Sequence, residues 1–100
     1  MYKKNKSIQK KYLVAKNKEL VTKLAVKYNW VFHSEDFINY RYSIVDYHGI
    51  YRINIYLSTM TVGLLPIGVR EYDFWYKNLS FAAIEDMFNN PSRYDKTIKL

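Results

Sequence analysis

The sequence predicts an α+β fold, in which a four-stranded antiparallel meander carries two helices on one face, in the order α-β-β-β-β-α. Apolar residues recur at helical spacing near the N-terminus and again around residues 81–88. Between these stretches, apolar and polar residues alternate as they do in half-buried strands, and turn residues separate the alternating runs. With 100 residues, 49% of them hydrophobic, residues 1–100 form one domain with one core.

The first predicted helix runs from about Ile8 to Tyr28, with Ser7 as its N-cap and no Gly or Pro to interrupt it. The side chains expected to be buried are apolar and lie three, four and seven residues apart: Leu13, Leu20, Val21, Leu24, Ala25 and Tyr28. Residues 1–7 are lysine-rich and are predicted to form a flexible basic tail.

A hairpin at the centre of the sheet has a register that follows from its alternation. With His48 and Gly49 as a two-residue turn, because glycine adopts the positive φ that such turns need, one face is apolar or aromatic. Its pairs are Ile44/Ile53, Tyr42/Ile55 and Tyr40/Leu57. The opposite face holds the pairs Val45/Arg52, Ser43/Asn54 and Arg41/Tyr56. A slip of one residue would mix polar with apolar side chains, so the alternation selects this register.

On either side of this hairpin, the sequence pattern defines the bounds of the predicted elements less sharply. Residues 58–61 form the next predicted turn, which sets Leu57 opposite Val62. The stretch 29–33 is either a short strand or an extended connection. A fourth strand is predicted over residues 69–77, with Trp75 on its outer side. The inward side of that strand is expected to hold Arg70, Tyr72, Phe74 and Tyr76.

The second predicted helix begins after Ser80, which is a favourable N-cap, and Leu79 with Ile84 forms the hydrophobic staple pattern. Asn and Pro at residues 89–91 end the helix. Its buried stripe is expected to consist of Phe81, Ile84, Met87 and Phe88. The tail at residues 92–100 is predicted to be loose or to form a brief edge strand.

Positive charge is concentrated at the N-terminus. Residues 1–27 contain nine lysines and one glutamate, for a net charge of +8, whereas the other 73 residues contain seven basic and eight acidic residues, for −1. Such a block favours an anionic partner, and lysine rather than arginine indicates contact with phosphates instead of base edges. The candidate binding residues on the helix are Lys10, Lys11, Lys16, Lys18, Lys23 and Lys27. The alternative is a solvated helix face.

The polar face of the sheet is a second candidate surface, because Arg41, Arg52 and Tyr56 lie on it, with Trp75 on the next strand. Sheets that present aromatic and basic side chains together can stack unpaired bases. The same residue types are enriched at protein interfaces, and ordinary cross-strand pairing also accounts for Tyr in strands. The residues alone leave these alternatives open.

Enzyme chemistry and metal or cofactor binding are not expected. The chain has no cysteine, and its three glycines are too few and too scattered for a phosphate-binding loop. The two His-carboxylate clusters, residues 33–36 and 46–48, lack metal-ligand spacing. The absence of cysteine suits a reducing compartment. Without a membrane-length apolar run or a signal peptide, a cytoplasmic location is expected and membrane association is not.

Two blocks, residues 53–63 (INIYLSTMTVG) and residues 74–93 (FWYKNLSFAAIEDMFNNPSR), carry a resemblance. They are similar to small uncharacterised proteins of phages, viruses and other mobile elements, over roughly the C-terminal half of the chain. Those proteins share a strand of the type I-D-I-Y-x-T-T-G-T-V-G, a capped acidic helix and F-x-N-P-R. Here Met60 replaces the turn glycine, and residues 94–97 depart from their usual His-Thr-Gly motif. The resemblance implies a fold and a mobile-element origin, but no activity.

Two functions are compatible with these features. The first is a small basic accessory protein of a virus or mobile element that binds nucleic acid through the lysine-rich helix. The second is a protein that binds and inhibits a host defence or nucleic-acid-processing complex, using the basic helix and the exposed Tyr/Arg sheet face. If the protein is viral, the host cytoplasm is its expected location. A homodimer formed through an edge strand is also possible on this pattern.

Overall fold

The computed structural model describes residues 2–69 and 75–97, with the side chains of the first helix described from Gln9 onward. Its elements are α1 (Tyr2–Lys27), β1 (Trp30–Asp36), β2 (Arg41–Asp46), β3 (Tyr51–Tyr56), β4 (Thr61–Pro66), β5 (Trp75–Tyr76), α2 (Phe81–Asn89) and a 3-10 turn (Pro91–Tyr94). The strands form one antiparallel sheet in chain order. Neither helix is long and apolar enough to cross a membrane within this part of the chain.

The α+β class is confirmed, but the sheet has five strands, because residues 29–33 belong mostly to the edge strand β1. β1 is irregular between Phe32 and Ser34, where a bulge interrupts its pairing with β2. The short β5 forms the other edge and sets Tyr76 opposite Val62 on the core face. The predicted positions of Arg70, Tyr72 and Phe74 lie outside the described residues. Whether an edge strand forms a homodimer stays a prediction.

The predicted register of the central hairpin is confirmed, with Ile44 opposite Ile53 and Arg41 opposite Tyr56. The turn itself is longer than predicted, because β2 ends at Asp46 and β3 begins at Tyr51. The Asp46 carboxylate accepts a hydrogen bond from the Ile50 amide at 2.7 Å. This side-chain bond closes a four-residue loop without changing which residues face each other.

The predicted register between β3 and β4 is wrong by two residues, since Val62 lies opposite Ile55 and not opposite Leu57. The turn begins at Leu57. Its amide donates a hydrogen bond to the Tyr40 carbonyl at 2.9 Å, so Leu57 does not pair with β4. Met60 closes the turn with a positive φ of 54°, and its backbone N–H donates a hydrogen bond to the Tyr56 carbonyl at 2.8 Å. A shift of two residues keeps every side chain on its face, so alternation cannot detect it.

Both helices cover the same apolar face of the sheet, as predicted. The sheet and the β3–β4 turn contribute the buried side chains Trp30, Tyr42, Ile44, Ile53, Ile55, Leu57, Val62 and Leu64. The helices contribute Val21, Ala25, Ile84, Met87 and Phe88. Burial of this apolar surface is the main stabilising contribution to the fold.

The first helix differs from its prediction in start and in rotation. It begins at Tyr2 rather than near Ile8, so most of the expected flexible tail is helical and Ser7 lies inside the helix. Leu13, expected to be buried, is 46% exposed, whereas Asn17 is only 6% exposed. The Asn17 amide Nδ2 donates to the Leu57 carbonyl at 2.7 Å, which satisfies a polar group in the core.

The second helix is capped as predicted, since Ser80 Oγ accepts a hydrogen bond from the Ala83 amide at 3.2 Å. Ile84, Met87 and Phe88 are buried, and Phe81 is half-buried. The tail is neither loose nor an edge strand over residues 92–97. It continues the 3-10 turn and then docks, because Asp95 is buried and accepts a hydrogen bond from the Tyr51 hydroxyl at 2.9 Å. Residues 98–100 are outside the described part.

Candidate nucleic-acid interface

The two surfaces predicted from the sequence lie on opposite sides of the sheet. The helices pack on the face that holds Ile44 and Ile53, and the pair Arg41/Tyr56 belongs to the other face. We refer to the exposed lysines of α1 as the helix surface. Arg41, Arg52, Tyr56 and Trp75 together form the sheet surface.

Lys16, Lys23 and Lys27 form a single stripe on the helix surface, here called the lysine stripe. At 100° per residue, these three positions fall within about 40° of one another around the helix axis. Lys16 and Lys27 are eleven positions apart, which corresponds to about 16 Å along the helix. A stripe of this length presents three ammonium groups to one ligand.

Two lysines of the stripe also form ion pairs with carboxylates. Lys23 Nζ lies 3.3 Å from Glu19, one helical turn earlier, and both side chains are well exposed. Lys27 Nζ lies 2.8 Å from Glu85 on α2, and the Tyr28 hydroxyl donates to the same carboxylate. The hydrogen bond from Lys27 lowers the pKa of Glu85, and that bond likewise raises the pKa of Lys27. Exposed pairs of this kind are weak, so an anionic ligand can compete for the ammonium groups.

Lys10 and Lys18, two of the predicted binding residues, also contact the rest of the protein. Lys18 Nζ lies 2.7 Å from Glu35, whose side chain is only 10% exposed, and 5.9 Å from the ring centroid of Tyr42. Lys10 is exposed, and its Nζ lies 5.2 Å from the ring centroid of Tyr40 in the loop before β2. Lys11 is exposed and lies on the same side of the helix as Lys18.

A groove between α1 and α2 runs beside the lysine stripe, with a volume of about 430 Å³. Its apolar lining residues are Leu20, Leu24, Phe81 and Ala82, and its charged ones are Lys23, Lys27 and Glu85. The groove could not be found from the sequence, since it depends on where α2 packs against α1.

On the sheet surface, Trp75 covers a glycine. Gly63 lies opposite Trp75, and a Cβ added to Gly63 would be 3.0 Å from two carbons of the six-membered indole ring and 3.3 Å from a third. The ring therefore rests on the β4 backbone, which only glycine permits at this distance. The Tyr56 ring centroid lies 5.4 Å from that of Trp75, with the planes at 47°. Sequence reasoning missed this contact, although a glycine inside a strand is a recognised signal of close approach.

Two arginines share this face of the sheet with the aromatic pair. Arg41 is exposed and directly opposite Tyr56, whereas Arg52 is half-buried, and its buried Nε has no hydrogen-bond acceptor among the described residues. Asp36 lies opposite Arg41, but its carboxylate mainly accepts hydrogen bonds from Asn39 and the Ile38 amide. These bonds, foremost the Asn39 side chain, lower the pKa of Asp36, and Arg41 contributes least.

The histidines are not placed together. His33 lies at the β1 bulge and contacts Ser34, and His48 lies in the β2–β3 loop against Tyr47. Over residues 2–69 and 75–97, no three His, Asp or Glu side chains are close enough to hold a metal ion.

Comparisons of the chain with protein-family models, with curated proteins and with solved structures gave no match.

Proposed function

We propose that this chain is a small accessory protein, of the kind carried by viruses and mobile elements, that binds the phosphate backbone of nucleic acid through α1. The lysine stripe is the observation that carries the proposal. Lys16 forms no ion pair with a described carboxylate, and Lys23 and Lys27 form only exposed ones. The described side chains at residues 9–13 are all exposed, so the N-terminal part of α1 is accessible to a long ligand.

The expected binding is electrostatic and independent of sequence. Three phosphate contacts release counterions, so that log K against log salt has a slope of about −2.7 for a B-form duplex. Raising the salt from about 50 to about 200 mM should then weaken binding about 40-fold.

The test measures fluorescence anisotropy of a labelled duplex over a range of salt concentrations. Each single change Lys16→Gln, Lys23→Gln or Lys27→Gln should make the slope less steep by about 0.9. Lys77→Gln is the matched control, because it removes the same charge from an exposed position outside the helix. A slope near zero for the unmodified protein, or an equal effect of Lys77→Gln, would refute the proposal.

The second candidate function is binding and inhibition of a host protein, and the groove between α1 and α2 favours it. Phosphates need no apolar lining, whereas an acidic amphipathic helix would place apolar side chains against Leu20, Leu24 and Phe81, with its carboxylates near the lysine stripe. A partner of this kind should remain bound after nuclease treatment. It should be lost in Ala82→Glu, because Ala82 is exposed at the groove and a carboxylate there repels an acidic partner. Partners released by nuclease would instead support nucleic-acid binding.

A further inference from the structure

We infer that the sheet surface is a separate binding site that stacks unpaired bases of single-stranded nucleic acid on Trp75 and Tyr56. The inference depends on the sheet surface alone. It does not require α1 to bind phosphates, since the helices lie on the other face of the sheet.

The indole of Trp75 is held as a platform. Its inner face rests on the strand backbone at Gly63, and the residue is half-buried. A ring supported from below by the backbone loses little further freedom when a base stacks on its outer face, because the packing has already ordered it. Any larger residue in place of Gly63 would push the ring away from this position.

Tyr56 supplies a second platform next to the first. At a centroid distance of 5.4 Å and an angle of 47°, the two rings touch without covering each other's faces in a parallel stack. Each ring can therefore take one base. Open antiparallel sheets with helices on the other side stack two or three bases on aromatic residues in this way.

Two arginines lie on the Tyr56 side of the ring pair. Arg41 neighbours Tyr56 across the strands, and Arg52 lies four residues before Tyr56, about 13 Å along β3. Guanidinium groups bind phosphates through charge-assisted hydrogen bonds, so these two arginines can contact the phosphates of a strand whose bases lie on the rings.

The residues around the two rings favour stacked bases, and not a protein partner, as the ligand of the sheet surface. Between Tyr56 and Arg52 lies the pair Ser43 and Asn54, which are hydrogen-bonded to each other, in place of an apolar anchor pocket. The nearest described carboxylate on this face is Asp36, and hydrogen bonds within its own turn occupy it. A duplex is a poor ligand, since its bases hide their faces in the stack.

Tryptophan fluorescence tests this directly. Trp30, the other tryptophan, is 6% exposed and packs on Phe88, so quenching by a ligand reports Trp75. A short oligo-dT should quench the emission saturably, and a duplex of equal length should not. Trp75→Phe should abolish the quenching but keep binding measured by anisotropy, because Phe still stacks.

Tyr56→Leu should weaken oligo-dT binding by about 5- to 150-fold, the range for losing one stacked base. Tyr47→Leu is the matched control, since Tyr47 is 74% exposed in the loop beyond the far end of the hairpin and should leave affinity unchanged. Thermal unfolding of each variant confirms that it is folded.

The outcomes separate this inference from the proposed function. Quenching that persists in Lys16→Gln/Lys23→Gln/Lys27→Gln supports an independent sheet site, even if the duplex experiment fails. Oligo-dT that binds without quenching, with Tyr56→Leu and Tyr47→Leu behaving alike, overturns the inference and leaves the helix proposal intact. Absence of any single-strand binding also overturns it, as does loss of a protein partner in Tyr56→Leu without a change in oligo-dT affinity.

Discussion

Replacement of Asn17 is the sharpest test of how α1 packs. The Asn17 side chain is 6% exposed and donates to the Leu57 carbonyl at 2.7 Å, where the chain leaves β3. In Asn17→Ala this buried carbonyl loses its donor, which costs about 1–3 kcal/mol. At a central value of about 2 kcal/mol, a domain of this size should lose about 8–16 °C in Tm.

The measurement is thermal and urea unfolding followed by circular dichroism. Leu13→Ala is the control, because Leu13 is apolar but 46% exposed, and its replacement should change stability by no more than about 0.5 kcal/mol. Asn17→Leu separates hydrogen bonding from burial, since it adds apolar surface but still leaves the carbonyl unpaired. An Asn17→Ala cost no larger than that of Leu13→Ala, or a stabilising Asn17→Leu, would refute the packing described for α1.

Two further predictions concern α2. Hydrogen bonds from Tyr94 first, then Asn90, with a smaller contribution from Arg93, hold the pKa of Asp86 below its ordinary value of 3.8. The stabilisation is therefore present above pH 3.8 and lost as the pH falls through the lowered pKa. Asp86→Asn should be less stable than the unmodified protein at neutral pH, with a difference in urea midpoint that shrinks at about pH 3; a constant difference would contradict this. Ser80→Ala should cost about 1 kcal/mol through loss of the N-cap, whereas the exposed Ser92→Ala should not, as measured by urea unfolding.

Local features of the fold could be predicted because short-range chemistry decides them. In the hairpin of β2 and β3, Gly49 marks the turn and the alternation excludes a slip of one residue, so Ile44 and Ile53 could be paired without a structure. Ser80 could be recognised as a cap because the helix that follows needs an acceptor for its free amides.

The sites could be predicted only in part. Charge and alternation identified the lysines of α1 and the residues of the sheet surface as candidates. They did not indicate which of these side chains form contacts within the protein. Lys18 pairs with Glu35 and Lys27 with Glu85, carboxylates that are distant in the chain and come close only on folding. The contact between the Trp75 ring and the backbone at Gly63 likewise forms only when β5 pairs with β4.

Sequence patterns were sufficient for the class of fold, the register of the β2–β3 hairpin and the side of the sheet on which the residues of β2, β3 and β4 lie. These depend on periodicity and on contacts within a few residues. Tertiary contacts set the β3–β4 offset, the rotation that buries Asn17 instead of Leu13, and which lysines of α1 pair with distant carboxylates. A polar amide can replace an apolar side chain in the core only if a distant carbonyl meets it, and the Leu57 carbonyl does so only after the sheet and α1 have packed together.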